Sequence, residues 1–220
     1  HYAAENGHRS VAQLLLTQGA AVNARDRLGA TPLHRAAAGG FTELVAFLLS
    51  KGAELEAKAD NGSTPLHWAA AKGQAEVIRF LCDKKVGPNV KDANNSTPLH
   101  YAAEKGHDFA AKVLLNRGAA KDAVNSFGFA PLHYAAMNGN RAVVALLLER
   151  DADINIRDRA GDTPLHQAVR TGNVEIVKLL LNKGASVNAA NLLNQTPTQL
   201  GKTSDNKEIV QLLRRHGGKE

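Results

Sequence analysis

The chain has 220 residues, with 27 Lys and Arg against 21 Asp and Glu, a formal net charge of +6. Alanine supplies 37 residues and leucine 27, while Phe, Trp and Tyr together supply only ten, so the core is small and aliphatic and suits closely stacked helices. A single cysteine, Cys82, excludes an internal disulfide framework and a multi-cysteine zinc site. No apolar run approaches the roughly 20 residues needed to cross a bilayer.

Along the chain one element returns at a fixed interval. Thr-Pro-Leu-His occurs at Thr31–His34, Thr64–His67, Thr97–His100 and Thr163–His166. Ala130-Pro131-Leu132-His133 is the same element with one change, and Thr196-Pro197-Thr198-Gln199 is a degraded copy. The starts are all 33 residues apart, and His1-Tyr2-Ala3-Ala4 aligns with the middle of a further copy. Thr followed by Pro reads as a helix cap and first helical residue. Leu33 and its equivalents face the core, paired alanines allow close approach, and Gly40, Gly73, Gly106, Gly139 and Gly172 end the short helix. A second helix follows, as in Ile176, Val177, Leu179, Leu180 and Leu181, then another Gly and an extended polar hairpin.

A 33-residue period with T-P-L-H-x-A closely resembles the ankyrin-repeat family over essentially the whole chain. The fold expected is all-α, an ankyrin-repeat solenoid of helix–turn–helix–hairpin units stacked into a curved array. One domain spans 1–220: a truncated repeat at 1–25, full repeats at 26–58, 59–91, 92–124, 125–157 and 158–190, and a capping repeat at 191–220. Lys202 and Arg214 supply the polarity an exposed end needs. The chain opens mid-motif, so further sequence is expected upstream. Lys85 and Asp151 replace the second-helix Gly, and Pro88 predicts an irregular loop at 84–89.

Several tempting residues have structural readings. Six histidines (His1, His34, His67, His100, His133, His166) recur one per repeat, and helices about 8–10 Å apart cannot bring two rings onto one metal ion. They are expected to fix the loop backbone. His8 and His107 share a second such slot. Gly201-Lys202-Thr203 lacks the preceding Gly of a phosphate-binding loop, because Thr196 stands there. Cys82, in a leucine slot, is expected to be buried and inert. The triplets at Asn61, Asn94 and Asn194 follow from turn chemistry. Asn23, Asn89, Asn155 and Asn188 occupy a slot that, by the resemblance, is hydroxylated in some ankyrin repeats; a turn-stabilising role is the alternative. No catalytic constellation, metal site or cofactor site emerges.

Function is therefore sought where the repeats differ. The resemblance implies that hairpin tips and the exposed side of the first helix line a concave groove. Those positions hold ten cations (Arg25, Arg27, Arg35, Lys58, Lys72, Lys91, Lys105, Arg157, Arg159, Arg170) against Glu5, Asp60, Glu104 and Asp162, which is the entire net charge. They also hold six of the ten aromatics: Tyr2, Trp68, Tyr101, Phe127, Phe129 and Tyr134. Period-two alternation puts Phe127 and Phe129 on one side of a finger, next to Tyr134 and Met137. Exposed aromatics, Met and Arg are interface chemistry. The candidate partner-binding residues are Trp68, Lys91, Tyr101, Lys105, Phe127, Phe129, Tyr134, Met137, Arg157, Arg159 and Arg170.

The reading is a non-enzymatic, monomeric scaffold or adaptor of the cytoplasm or nucleus, binding an acidic or phosphorylated protein segment with apolar anchors. Alternatives are a nucleotide or short-oligonucleotide sensor in the same groove, since bases stack on aromatics beside cations, or the targeting module of a larger enzyme, ubiquitin-ligase receptor or channel. Extended nucleic acid is disfavoured, because acids interrupt the basic stripe.

Overall fold

The structure, a computed structural model, describes residues 1–219. Among them are fourteen helices and no strand. In chain order they pair as α1 (Tyr2–Glu5) with α2 (Arg9–Thr17), α3 (Pro32–Gly39) with α4 (Thr42–Ser50), and α5 (Pro65–Ala71) with α6 (Ala75–Asp83). Then come α7 (Pro98–Lys105) with α8 (Asp108–Asn116), α9 (Pro131–Met137) with α10 (Arg141–Glu149), α11 (Pro164–Arg170) with α12 (Val174–Asn182), and α13 (Pro197–Thr203) with α14 (Lys207–Arg215). The chain forms two compact units: His1–Ala102 with Phe109–Ala120, and Ala103–Asp108 with the chain from Lys121 onward.

Every first helix after α1 begins at proline, as the Thr-Pro pairs and Ala130-Pro131 predict. Histidine completes the cap. In the first unit His34 Nδ1 accepts from the Thr31 N–H at 3.1 Å and lies 3.0 Å from the Thr31 hydroxyl. Its Nε2 bonds the Ser63 carbonyl of the next repeat at 3.1 Å. His67 repeats this with Thr64 and Ser96, His133 with Ala130 and Asp162, and His166 with Thr163 and Gln195. Ala130 keeps the backbone half of the cap and lacks the hydroxyl. Both ring nitrogens are thus spent on backbone and cap. Burial drives His34, His67, His133 and His166 below the ordinary imidazole value, so they sit neutral in the core at pH 7.

The core matches the expected positions: Leu33, Leu66, Leu99, Leu132 and Leu165 are buried, as are the alanine pairs behind them. Gly40, Gly73, Gly106, Gly139 and Gly172 all have φ between 71° and 79°. At the end of the second helix Gly52, Gly118 and Gly184 have φ between 85° and 88°, and Lys85 and Asp151 hold that left-handed turn without glycine, at φ 69° and 56°.

Three expectations change. The loop at 84–89 is regular: Val86 N–H donates to Leu81 O and Val90 N–H to Gly87 O, as Ala53 N–H does to Leu48 O and Ala57 N–H to Glu54 O. Pro88 fits because Leu55, its equivalent, donates no backbone hydrogen bond there. The hairpins are turns and not extended ribbons, for reasons given below. Cys82 is half-buried, and burial pushes its thiol pKa up.

Candidate functional site

Each hairpin is organised around one side chain at its base. Asp26 Oδ1 accepts from the N–H groups of Leu28 and Ala30 at 2.8 and 3.0 Å. Asp92 serves Asn94 and Ser96, Asn125 serves Phe127 and Phe129, Asp158 serves Ala160 and Asp162, and Asn191 serves Leu193 and Gln195. Two amides two residues apart converge on one oxygen, which a pleated strand forbids. Gly128 at φ 79° makes the reversal possible. Phe127 and Phe129 therefore do not share a side: Phe127 projects, 55% exposed, and Phe129 is half-buried. The Phe129 ring lies 5.3 Å from Tyr134 and 5.5 Å from His133.

The second atom of that base side chain reaches the first helix nine residues on. Asp26 Oδ2 takes Arg35 in a forked pair at 2.7 and 3.1 Å. The Tyr101 hydroxyl donates to Asp92 Oδ2 at 2.7 Å, Asn125 Nδ2 donates to the Tyr134 hydroxyl at 3.0 Å, and Gln167 Nε2 donates to Asp158 Oδ2 at 3.0 Å. Where Ala59 replaces the acid, Asn61 holds Ser63, and Trp68 Nε1 donates to the Ser63 hydroxyl at 2.8 Å. Burial raises the Asp26 pKa, but Arg35 and the two backbone N–H groups outweigh it and hold the carboxyl below its usual range. Trp68, Tyr101 and Tyr134 are half-buried struts between hairpin and helix. Arg35 covers Trp68 at 5.2 Å from the ring centroid, and His34 meets its edge.

The cations divide the same way. Arg25 Nη1 donates to the Lys58 carbonyl, and Arg157 Nη1 donates to the Ala190 carbonyl at 2.6 Å, so this slot ties one hairpin to the next. Arg170 pairs at 2.7 Å with Asp162, which is 2% exposed and also accepts from Asn191. Lys105 pairs with Glu104 at 2.8 Å. Arg27, Lys58, Lys72, Lys91 and Arg159 are exposed, with no ion pair among the described residues. The sequence-level charge count also omitted Asp26, Asp92 and Asp158 beneath the tips. With them the ten cations face seven acids, and the surplus falls to three.

Met137 is half-buried on α9, and its carbonyl accepts from Asn173. The asparagine slot has a bridging role. Asn23 Nδ2 donates to the Gly52 carbonyl while its Oδ1 accepts from the Glu54 N–H, and Asn89 and Asn188 do the same one repeat onward. Asn155 and Asp122 keep the acceptor half of this bridge. The slot thus bridges successive repeats through its side-chain hydrogen bonds.

Several exposed apolar residues lie outside the candidate set, among them Leu28 at the first hairpin tip and Val11, Leu14 and Leu15 on α2. Leu192 and Leu193, at the last hairpin tip, are 75% and 76% exposed. Phe109, on α8, is 59% exposed where sibling repeats carry Glu43, Glu76 and Glu175. Leu192 and Phe109 were detectable as apolar residues in slots that are polar or small elsewhere, whereas Leu193 shares its slot with Leu28 and Phe127. Among the described residues no cluster of three metal-ligating side chains occurs, and no helix is long and apolar enough to cross a membrane.

Comparison with known proteins is consistent with this frame. A family profile described as ankyrin repeats in three copies matches residues 1–92 and 84–158, and a single-repeat profile matches 160–192. An ankyrin repeat protein of Rickettsia bellii (strain RML369-C) is 56% identical over 36 residues, which is 16% of this chain and 15% of that protein.

Proposed function

From the premise that the chain belongs to the ankyrin-repeat family, whose repeats are in general protein-interaction modules, we propose that it is a binding scaffold whose contacts lie at the hairpin tips. The observation that carries this reading is the division within each repeat. Base, strut and histidine positions spend their polar groups inside the fold, whereas Phe127, Arg159, Leu192 and Leu193 spend none. Exposed aromatic and aliphatic side chains next to an uncommitted arginine supply the buried anchors and guiding charge of an interface.

The partner is an acidic or phosphorylated protein segment with apolar side chains. Phe127 supplies the anchor, with Leu192 and Leu193 exposed at the tip two repeats on. Arg159 raises the association rate, while the apolar contacts set the residence time. A nucleotide sensor gains less support, since Arg35 already covers Trp68, and Tyr101 and Tyr134 are tied to their own hairpins. Attachment to a larger enzyme or channel is compatible with a binding module.

The test is affinity capture with the full chain, identification of the retained protein, and dissociation kinetics for that protein. Phe127→Ser should speed its dissociation roughly tenfold or more while the melting temperature holds. An unchanged dissociation rate with the fold intact removes the tips from the binding site.

A further inference from the structure

The tips of the second unit form a row of exposed apolar side chains that no pairing within the fold uses. Phe127, Ala160 and Leu193 occupy the same position in three consecutive repeats, with Leu192 and Arg159 beside them. Backbone hydrogen bonds lock the row: Arg159 N–H donates to the Phe127 carbonyl at 3.3 Å, and Leu192 N–H donates to the Ala160 carbonyl at 2.9 Å. Tips joined in this way cannot slide past one another. Packed helices lie about 8–10 Å apart, so the row offers one side chain per roughly 10 Å, with a recess at Ala160 between two larger residues. Arg159, next to that recess, has no ion-pair partner among the described residues.

The spacing selects the conformation of whatever lies along it. A β-strand returns to the same face every two residues, about 6.8 Å. A polyproline II segment returns every three, about 9.3 Å, one contact for each hairpin. An α-helix returns after seven residues, about 10.5 Å, but it is roughly 10 Å wide and buries its apolar stripe in a groove. Each of these hairpins presents only one or two exposed apolar or cationic side chains at its tip, Phe127, Arg159 with Ala160, and Leu192 with Leu193, a narrow face for such a stripe. Polyproline II is also a major conformer of unfolded chains, which lowers the cost of ordering it.

We propose that the occupant is an acidic segment in polyproline II conformation, with apolar side chains at every third residue and a carboxylate placed on Arg159. This rests on the reading of the hairpin tips as the binding surface and names its ligand.

The test uses the full chain and a labelled ten-residue peptide, with leucine at every third position and glutamate and proline between, followed by fluorescence anisotropy at low salt. Two controls are a shuffled peptide of the same composition and a helix-forming peptide with leucines seven apart. The three-residue spacing should bind tightest. Leu193→Ser and Arg159→Glu should each weaken it about tenfold with circular dichroism unchanged, and Tyr134→Phe should leave affinity unaltered. Equal binding of all peptides, preference for the helical peptide, insensitivity to Leu193→Ser, or no binding would each overturn the proposal. If the peptide fails while Phe127→Ser still releases the captured protein, the scaffold reading survives and only the ligand assignment falls. If Phe127→Ser also leaves that protein bound, both fall.

Discussion

The hairpins of the two units are built alike and end differently. After Leu28, the tips of the first unit carry Asp60, Asn61, Ala93 and Asn94, with Lys58 and Lys91 near them. The tips of the second unit carry Phe127, Arg159, Ala160, Leu192 and Leu193. Beneath both lies one scheme, a base residue that gathers two backbone amides and a strut nine residues on. Asp26–Arg35 and Asp92–Tyr101 serve the first unit as Asn125–Tyr134 and Asp158–Gln167 serve the second. Variation between repeats therefore has two origins. Struts vary together with their base residues and preserve the turn, as Asn61 does where Ala59 replaces the base, whereas tips such as Phe127, Leu192 and Leu193 vary with no internal side-chain partner to answer to.

The sharpest way to break that distinction is to disturb the shared frame and see whether it fails as a frame should. His67→Ala leaves the Thr64 N–H and the Ser96 carbonyl buried without a partner and opens a cavity. It should cost about 3 kcal/mol, read by urea denaturation. Arg170→Ala strands the buried Asp162 carboxylate and should cost roughly 2–3 kcal/mol, with Asn191 sharing part of the load.

Acid should weaken the frame throughout. Four of the buried histidines, His34, His67, His133 and His166, have folded-state pKa values below the unfolded value, so the unfolded chain binds protons first. Their stabilisation is complete above about pH 6.5 and is lost as pH falls below it. A melting temperature flat from pH 7 to 8 and falling toward pH 5 is the expected profile.

Smaller effects sharpen the same picture. Thr198 is fully buried in a leucine slot, and its hydroxyl has no partner among the described residues, so Thr198→Val should stabilise by about 1 kcal/mol. Asp151→Gly and Lys85→Gly relieve left-handed strain and should each gain roughly 0.5–1 kcal/mol. Asp151 should gain more, because it also places a negative charge just past the C-terminal end of α10.

Much of this was legible in the sequence. The Thr-Pro-Leu-His element fixed the helix starts, and the glycines fixed the ends, because each residue type there answers a local backbone requirement. The capping histidines were expected to hold backbone, and they do. Legibility failed where the partner lies nine residues away. Nothing local says that Tyr134 holds Asn125 and not a ligand, so struts were counted with anchors. Alternation misplaced Phe129 because it assumes a strand, and the left-handed Gly128 makes a turn. The charge count went astray for a related reason: Asp26, Asp92 and Asp158 were assigned to the frame, yet their carboxylates sit at the bases of the hairpins whose cations were counted, and Asp26 pairs directly with Arg35.

The account therefore rests on separating strut from anchor within one repeat. The direct measurement is a paired one on the captured partner: dissociation rate and melting temperature for Phe127→Ser and for Tyr134→Phe. Phe127→Ser should speed dissociation at least tenfold and leave the melting temperature in place. Tyr134→Phe, which removes the hydroxyl that receives Asn125, should lower the melting temperature and leave the dissociation rate in place. The reverse pattern, with binding lost at Tyr134 and stability lost at Phe127, would contradict it.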